Sequence, residues 1–179
     1  MKKKLINSLF LALIVSSGNV WGQAGYPVPP ANKNMLFYLQ RTHNTNTVIY
    51  EINYKNGKID DDEPVKVYWI RYADGGGTEQ LSSIQRVFAY GVSSSIYNKE
   101  QKWFKITLKA YDKASIYLKN NSDDKKYHAY IHINGVLCEL TKIFVKTDGG
   151  STWSPNVVYV EITGKDPKTK KTVSEKIKP

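Results

Sequence analysis

From residue 35 onward, apolar residues recur at every second position in short runs separated by turn-forming residues. Val48, Tyr50, Ile52 and Tyr54 share one face of a run whose other face carries Thr47, Glu51 and Asn53, the pattern of a half-buried strand. Phe104, Ile106 and Leu108 alternate in the same way, as do Tyr127, Ala129, Ile131 and Ile133. Further strand-like runs are MLFYLQR from Met35, ASIYLK from Ala114, VLCELTKIFV from Val136, VVYVEITG from Val157 and VSEKI from Val173. The run from Val65 to Tyr72 is apolar on both faces, with Val65, Val67 and Trp69 on one and Tyr68, Ile70 and Tyr72 on the other. Such a strand is central, or lies under a helix. Asn56-Gly57 and Asn134-Gly135 are hairpin signals, because a tight turn needs positive φ at both central positions.

One helix is expected. Leu81, Ile84, Val87 and Phe88 fall at helical spacing, with Thr78 as N-cap and Gly91 as stop. The sum is a mainly β domain: an antiparallel β-barrel or sandwich of about eight to nine strands, with one packed α-helix over roughly residues 78–90. No internal repeat or domain boundary interrupts residues 35–177.

The N-terminus reads differently. Lys2, Lys3 and Lys4 precede an apolar stretch from Leu5 to Val15, broken only by Asn7 and Ser8. Val20-Trp21-Gly22 then supplies a cleavage site, with cleavage after Ala24 as the alternative. Residues 1–22 are thus expected to be a secretory signal peptide, since the apolar run falls short of the ~20 residues that span a bilayer. The Pro-rich GYPVPPANKN follows, so residues 23–34 read as an extended linker into the domain. Export to the periplasm or beyond is the expected localisation, with no transmembrane segment left after cleavage.

Charge changes the picture little. The formal net charge is +10, and loss of the three signal lysines leaves +7. The tail Lys165–Pro179 has six lysines against Asp166 and Glu175, so the body carries only a small excess. A basic balance concentrated in a tail is not the positive face that nucleic acid requires, and no nucleic-acid partner is expected. The single cysteine, Cys138, has no intramolecular partner and reads as a small buried hydrophobe.

Each group that could carry chemistry has a structural alternative. Gly75-Gly76-Gly77 follows an aromatic strand, but the spacing matches neither phosphate-binding glycine pattern, and Asp74 and Glu79 would repel an anion. The glycines are expected to connect strand to helix. His128 and His132 sit on one strand at i and i+4, about 13 Å apart, too far to share a metal. The acidic IDDDEP lacks the calcium-loop alternation. Ser93, Ser94 and Ser95 lack a nucleophile elbow. No catalytic residue, metal ligand or cofactor is assigned. Trp103 and Trp153 are the tryptophans expected to be exposed, and Trp153, in a Gly/Ser loop, is the aromatic best placed to touch a ligand.

Three segments carry a resemblance: NMLFYLQRTHNTNTVIYEIN, PVKVYWIRYADGG and LSSIQRVFAYGV. Together with the Asn134-Gly135 hairpin and the final DPKTKKTVSEKI, they resemble DUF4833, an uncharacterised exported bacterial family associated with Bacteroidota. The resemblance implies no activity. Any site in such a family is expected where polar residues interrupt the motifs, at Gln40, Arg41, Arg71, Gln85 and Arg86, with Arg71 needing a partner on its two-sided strand. The functional expectation is an exported, non-enzymatic binding or envelope-accessory module with a glycan, lipid or envelope-protein partner. A hydrolase of envelope glycans or lipids, and a structural or interaction protein, are the alternatives.

Overall fold

The computed structural model describes residues 25–151 and 154–178; the expected signal peptide at 1–22 and Trp153 lie outside the described residues. Strands β1 (Met35–Arg41) and β2 (Asn44–Ile52) form an antiparallel pair around Thr42 and His43. A small hairpin follows, β3 (Tyr54–Lys55) and β4 (Lys58–Ile59), turned by Asn56 at φ 53° and Gly57 at φ 75°. β5 (Val65–Arg71) pairs with β2, and β6 (Gly77–Gln80) folds back on β5. Helix α1 (Ser83–Phe88) leads to a meander of β7 (Val92–Asn98), β8 (Trp103–Leu108), β9 (Tyr111–Asn120) and β10 (Tyr127–Ile133). Asn134 at φ 49° and Gly135 at φ 78° turn the chain into β11 (Val136–Gly150), followed by β12 (Pro155–Lys165) and β13 (Thr172–Ile177). Both Asn-Gly pairs therefore adopt the conformation their hairpins demand.

The strand order is β6-β5-β2-β1-β11-β10-β9-β8-β7, with β12 and β13 continuing from β11. β11 is long enough to serve three neighbours. Val136–Glu139 pairs with β10 and Lys142–Val145 with β1, while the opposite edge carries β12. The nine-strand path curls into an open half-barrel. The expected closed barrel or sandwich is not formed, because β6 and β7, at the two ends of the path, do not pair with each other. β6 is only four residues long and exposed throughout, too short to carry a closing ladder. Helix α1 instead carries the chain between these two end strands.

Four further expectations need correcting. The sheet is not wholly antiparallel: β1 and β11 run parallel, Tyr38 opposite Lys142 through Arg41 opposite Val145. The intervening strands act as the long crossover that a parallel pair requires. The described strands number thirteen, more than expected, because β3 and β4 are two-residue strands, and β6 and the Ser-rich β7 are exposed edges with no alternation to read. The helix spans Ser83–Phe88, not 78–90, and Thr78 is not its cap. Gly75 at φ 90° and Gly76 at φ 83° reverse the chain so that Gly77–Gln80 takes up the free edge of β5. The glycines thus make a strand-to-strand hairpin, not a strand-to-helix connection. Ser82 starts the helix through a capping box with Gln85.

The concave face is the core. Phe37, Val48, Tyr50, Val67, Trp69, Phe104, Ile106, Leu118, Ala129, Ile131, Leu140 and Ile143 form one buried cluster, which matches the period-2 reading for Val48, Tyr50 and Ile52, for Phe104, Ile106 and Leu108 and for Ala129, Ile131 and Ile133, whereas Tyr54, expected on the same face as Ile52, is exposed. Cys138 belongs to it. A register shift between Leu140 and Lys142 alters the alternation in β11: Ile143 joins the core cluster, whereas Phe144 is buried against Tyr26. Residues 25–34 run along this second face. Tyr26 meets the Phe144 ring edge-on at 5.1 Å, and Pro29 is buried.

Candidate functional site

The inward faces of β1, β5, β8, β9, β11 and β12 do not meet in the middle. They leave a cavity of about 550 Å³. Aromatic and large aliphatic side chains fill the core beyond it, with Phe37 stacked on Tyr50 at 4.4 Å and Phe104 fully buried. The cavity wall combines short side chains, among them Ala110, Ala114, Val145, Val157 and Val160, with the rings of Trp69, Tyr90 and Tyr111. The short members of the wall leave space that its aromatic members do not fill. Leu39, Ile116, Ile131 and Ile162 complete the apolar wall.

Helix α1 borders this space without plugging it. Gln85 Oε1 accepts hydrogen bonds from Ser82 N at 3.0 Å and from the Trp69 indole nitrogen at 3.3 Å. Tyr90, just after the helix, lies edge-on to Trp69 at 4.8 Å, and its carbonyl accepts a 2.9 Å hydrogen bond from Tyr50 OH. Because Gln85 turns toward Trp69, the expected apolar stripe does not pack inward. Leu81 is buried, but Ile84, Val87 and Phe88 are exposed by 53%, 54% and 71%. Phe88 is nevertheless part of the cavity's border. Gly91 is needed for close approach, since a Cβ there would overlap the Arg86 carbonyl.

The charged residues that line the cavity are Arg41, Arg71 and Lys178; no carboxylate lines it among the described residues. Their states differ. Arg71 has the acidic partners its strand required, Asp74 at 2.9 Å and Glu79 at 3.3 Å. Lys178 is exposed near the end of the chain. Arg41 is partly buried, and no carboxylate among the described residues lies within ion-pair distance of it. Burial raises the Tyr90 phenol above its ordinary pKa, and the nearby Arg41 charge partly opposes that rise. Asn44, opposite Arg41 across the β1–β2 turn, shares the cavity border.

The other sequence candidates lie elsewhere. Gln40 is fully buried beneath the N-terminal segment, donating to the Pro27 carbonyl at 2.6 Å and to Thr47 Oγ1 at 2.9 Å. Arg86 is paired with Glu63 at 3.2 Å and does not border the cavity. Gln85 does, though its amide oxygen is committed to Ser82 and Trp69. The fold thus brings Arg41, Arg71 and Gln85 to one cavity and separates Gln40 and Arg86 from it. Sequence reasoning missed the lumen itself, because the alternation that marks inward-facing residues does not say whether the facing side chains will touch.

Away from the cavity, His128 makes hydrogen bonds through both ring nitrogens, Nδ1 to Glu139 Oε1 at 2.9 Å and Nε2 to Asp124 Oδ2 at 2.8 Å. These carboxylates raise its pKa, Glu139 foremost, against the opposing effect of burial. Asp60 caps the acidic loop by accepting from the backbone of Asp62 at 3.0 Å and Glu63 at 3.2 Å, while Asp61 pairs with Lys102. Burial pushes the Cys138 thiol upward, away from the thiolate a nucleophile needs. Among the described residues no helix is long and apolar enough to cross a membrane, and no cluster of three or more His, Cys, Asp or Glu side chains could hold a metal ion.

No curated protein and no solved structure matches this chain. A family match covers residues 37–176, from the third residue of β1 to within one residue of the end of β13, and its description is "Domain of unknown function (DUF4833)". A match of that extent takes in all but the outermost residues of the half-barrel and every residue named on the cavity border except Lys178, and on it the chain belongs to the DUF4833 family.

Proposed function

We propose that this protein is an exported, non-enzymatic binding module that holds a predominantly apolar ligand in the lumen of its half-barrel. The observation that supports this reading is the cavity of about 550 Å³ walled mainly by aliphatic side chains, together with Trp69, Phe88, Tyr90 and Tyr111. Its size falls within the ~300–1,000 Å³ of small-molecule sites, which are apolar with a few polar groups. A core that folds for stability alone would close such a space, since apolar voids cost stability in proportion to their volume. Of the partner classes the sequence admitted, a lipid-like molecule fits such a wall better than a glycan, whose hydroxyl groups would be left without partners along it.

The experiment is a thermal-shift and mass-spectrometric study of the chain expressed with its own N-terminus in an exporting bacterial host. Export predicts a product beginning at Gln23 or Gly25 and recovered outside the cytoplasm. Ligand binding predicts that medium-chain and long-chain amphiphiles raise the melting temperature, while soluble oligosaccharides and divalent metals do not. A ligand at one hundred times its Kd stabilises by about 2.7 kcal/mol, and each kcal/mol moves the midpoint by about 2–4 °C at this chain length. No shift with any apolar ligand overturns the binding reading; an uncleaved product retained in the cytoplasm overturns the export reading.

A further inference from the structure

Resting on that binding reading, we infer that the ligand of the lumen ends in an anionic head group, a carboxylate or a phosphate monoester, and that the Arg41 guanidinium receives it. The wall is mainly apolar, and every charged residue on it among the described residues is a cation. Arg71 is already neutralised by Asp74 and Glu79, and Lys178 is exposed to water. Arg41 alone of the three combines partial burial with the absence of a carboxylate partner among the described residues.

The position of Arg41 is built, not incidental. It ends β1 and is held on both sides, opposite Asn44 of β2 in one ladder and Val145 of β11 in the other. Leu39, two residues earlier, and Val145 carry the apolar wall inward from it. A cation fixed at the border of an apolar space is poorly solvated, and a bound anion offsets that cost. The planar guanidinium fork suits the two oxygens of a carboxylate or phosphate, and hydrogen bonds of this kind are about twice as strong as neutral ones. The resulting picture is an amphiphile with its chain among Leu39, Ile116, Ile131 and Ile162 and its head at Arg41.

The test compares ligands with one alkyl chain and different heads. Binding of decanoate, decyl phosphate and decan-1-ol to the purified protein is measured by calorimetry, for the wild type, Arg41→Gln and Arg86→Gln. At least one of the two anions is expected to bind about tenfold or more tightly than the alcohol, the gain of a charge-assisted hydrogen bond. Arg41→Gln should remove that preference and leave decan-1-ol unaffected; Arg86→Gln, away from the cavity, should keep it. The head group that gives the larger preference tells a fatty acid from a phosphate ester. Equal binding of all three ligands, or an undiminished preference in Arg41→Gln, overturns the inference and leaves the lumen as a site for neutral ligands. Failure of all three to bind overturns the binding reading itself. A second measurement does not depend on the variant folding: the Arg41 Nε–Hε resonance of the wild type should move on addition of decanoate and not of decan-1-ol, and a stationary resonance under saturating decanoate overturns the inference.

Discussion

Gln40 and His128 show how a polar side chain on a strand can be structural. Gln40 sits fully buried, and its amide nitrogen joins the Pro27 carbonyl to the Thr47 hydroxyl, so it fastens the N-terminal segment to the sheet. Gln40→Ala should cost about 1–3 kcal/mol, the penalty of leaving buried polar partners unpaired, read by urea denaturation. It should also speed amide exchange around Tyr26 and His43, whose backbone nitrogen donates to Tyr26 OH. His128 ties Glu139 of β11 to Asp124 of the β9–β10 turn. Its folded pKa is raised above the ordinary 6.5, so its contribution is fully present below that value and is lost as pH rises through the raised pKa. Glu139 is shifted the opposite way, below the ordinary 4.5, by its hydrogen bond with His128. Its contribution is present above 4.5 and lost as pH falls through the lowered pKa. The melting temperature of wild type should therefore exceed that of His128→Gln most at about pH 5–6.5, with the gap shrinking toward pH 9. A gap that does not depend on pH contradicts the assignment.

At the scale of elements, the segment from Gly75 to Gly91 departs most from what its sequence pattern foretold. Leu81, Ile84, Val87 and Phe88 have helical spacing, but spacing alone does not choose which face of a short helix turns inward. That choice belongs to Gln85, whose side chain caps Ser82 and meets Trp69. Likewise Thr78 and Glu79 could begin a helix, yet the free edge of β5 offers them a ladder, and two left-handed glycines direct the chain to it. Ser82→Ala should remove one half of the capping box and cost about 1 kcal/mol. Its effect should concentrate in faster amide exchange over Gln85–Tyr90, because the helix is exposed and short. The Asn-Gly hairpins and the alternating strands were legible because a positive-φ turn and a one-sided strand each leave a local mark. β6 and β7 were not, because an edge strand exposed on both faces leaves none.

For the whole molecule, the decisive feature is an incomplete closure. The sheet curls far enough to bury one face of its central strands but not far enough to bring β6 to β7, and the inner wall leaves a lumen. Filling that space tests whether it is kept for a ligand. Ala114→Leu places three further carbons in the cavity, each buried methylene worth about 0.8 kcal/mol. The variant should melt at or above the wild-type temperature and lose ligand affinity by about tenfold or more, measured by calorimetry with decanoate. A variant that binds like wild type would show that the lumen is not where the ligand sits.

The β class, the inward face of most strands and both Asn-Gly turns could be read along the chain, because these depend on side-chain period and local backbone preference. The sequence also carried the family resemblance, in long segments that the family match over residues 37–176 includes. Arg41 and Arg71 were visible as polar interruptions of apolar strands, but their separate fates were not: Arg71 is paired by Asp74 in the turn that follows it and by Glu79 on the next strand, Arg41 by no acid among the described residues. The parallel docking of β1 on β11, the open edge and the lumen emerge only in the folded chain. Each depends on which residues far apart in the chain meet, and on how fully facing side chains fill the space between them, quantities that no local pattern records.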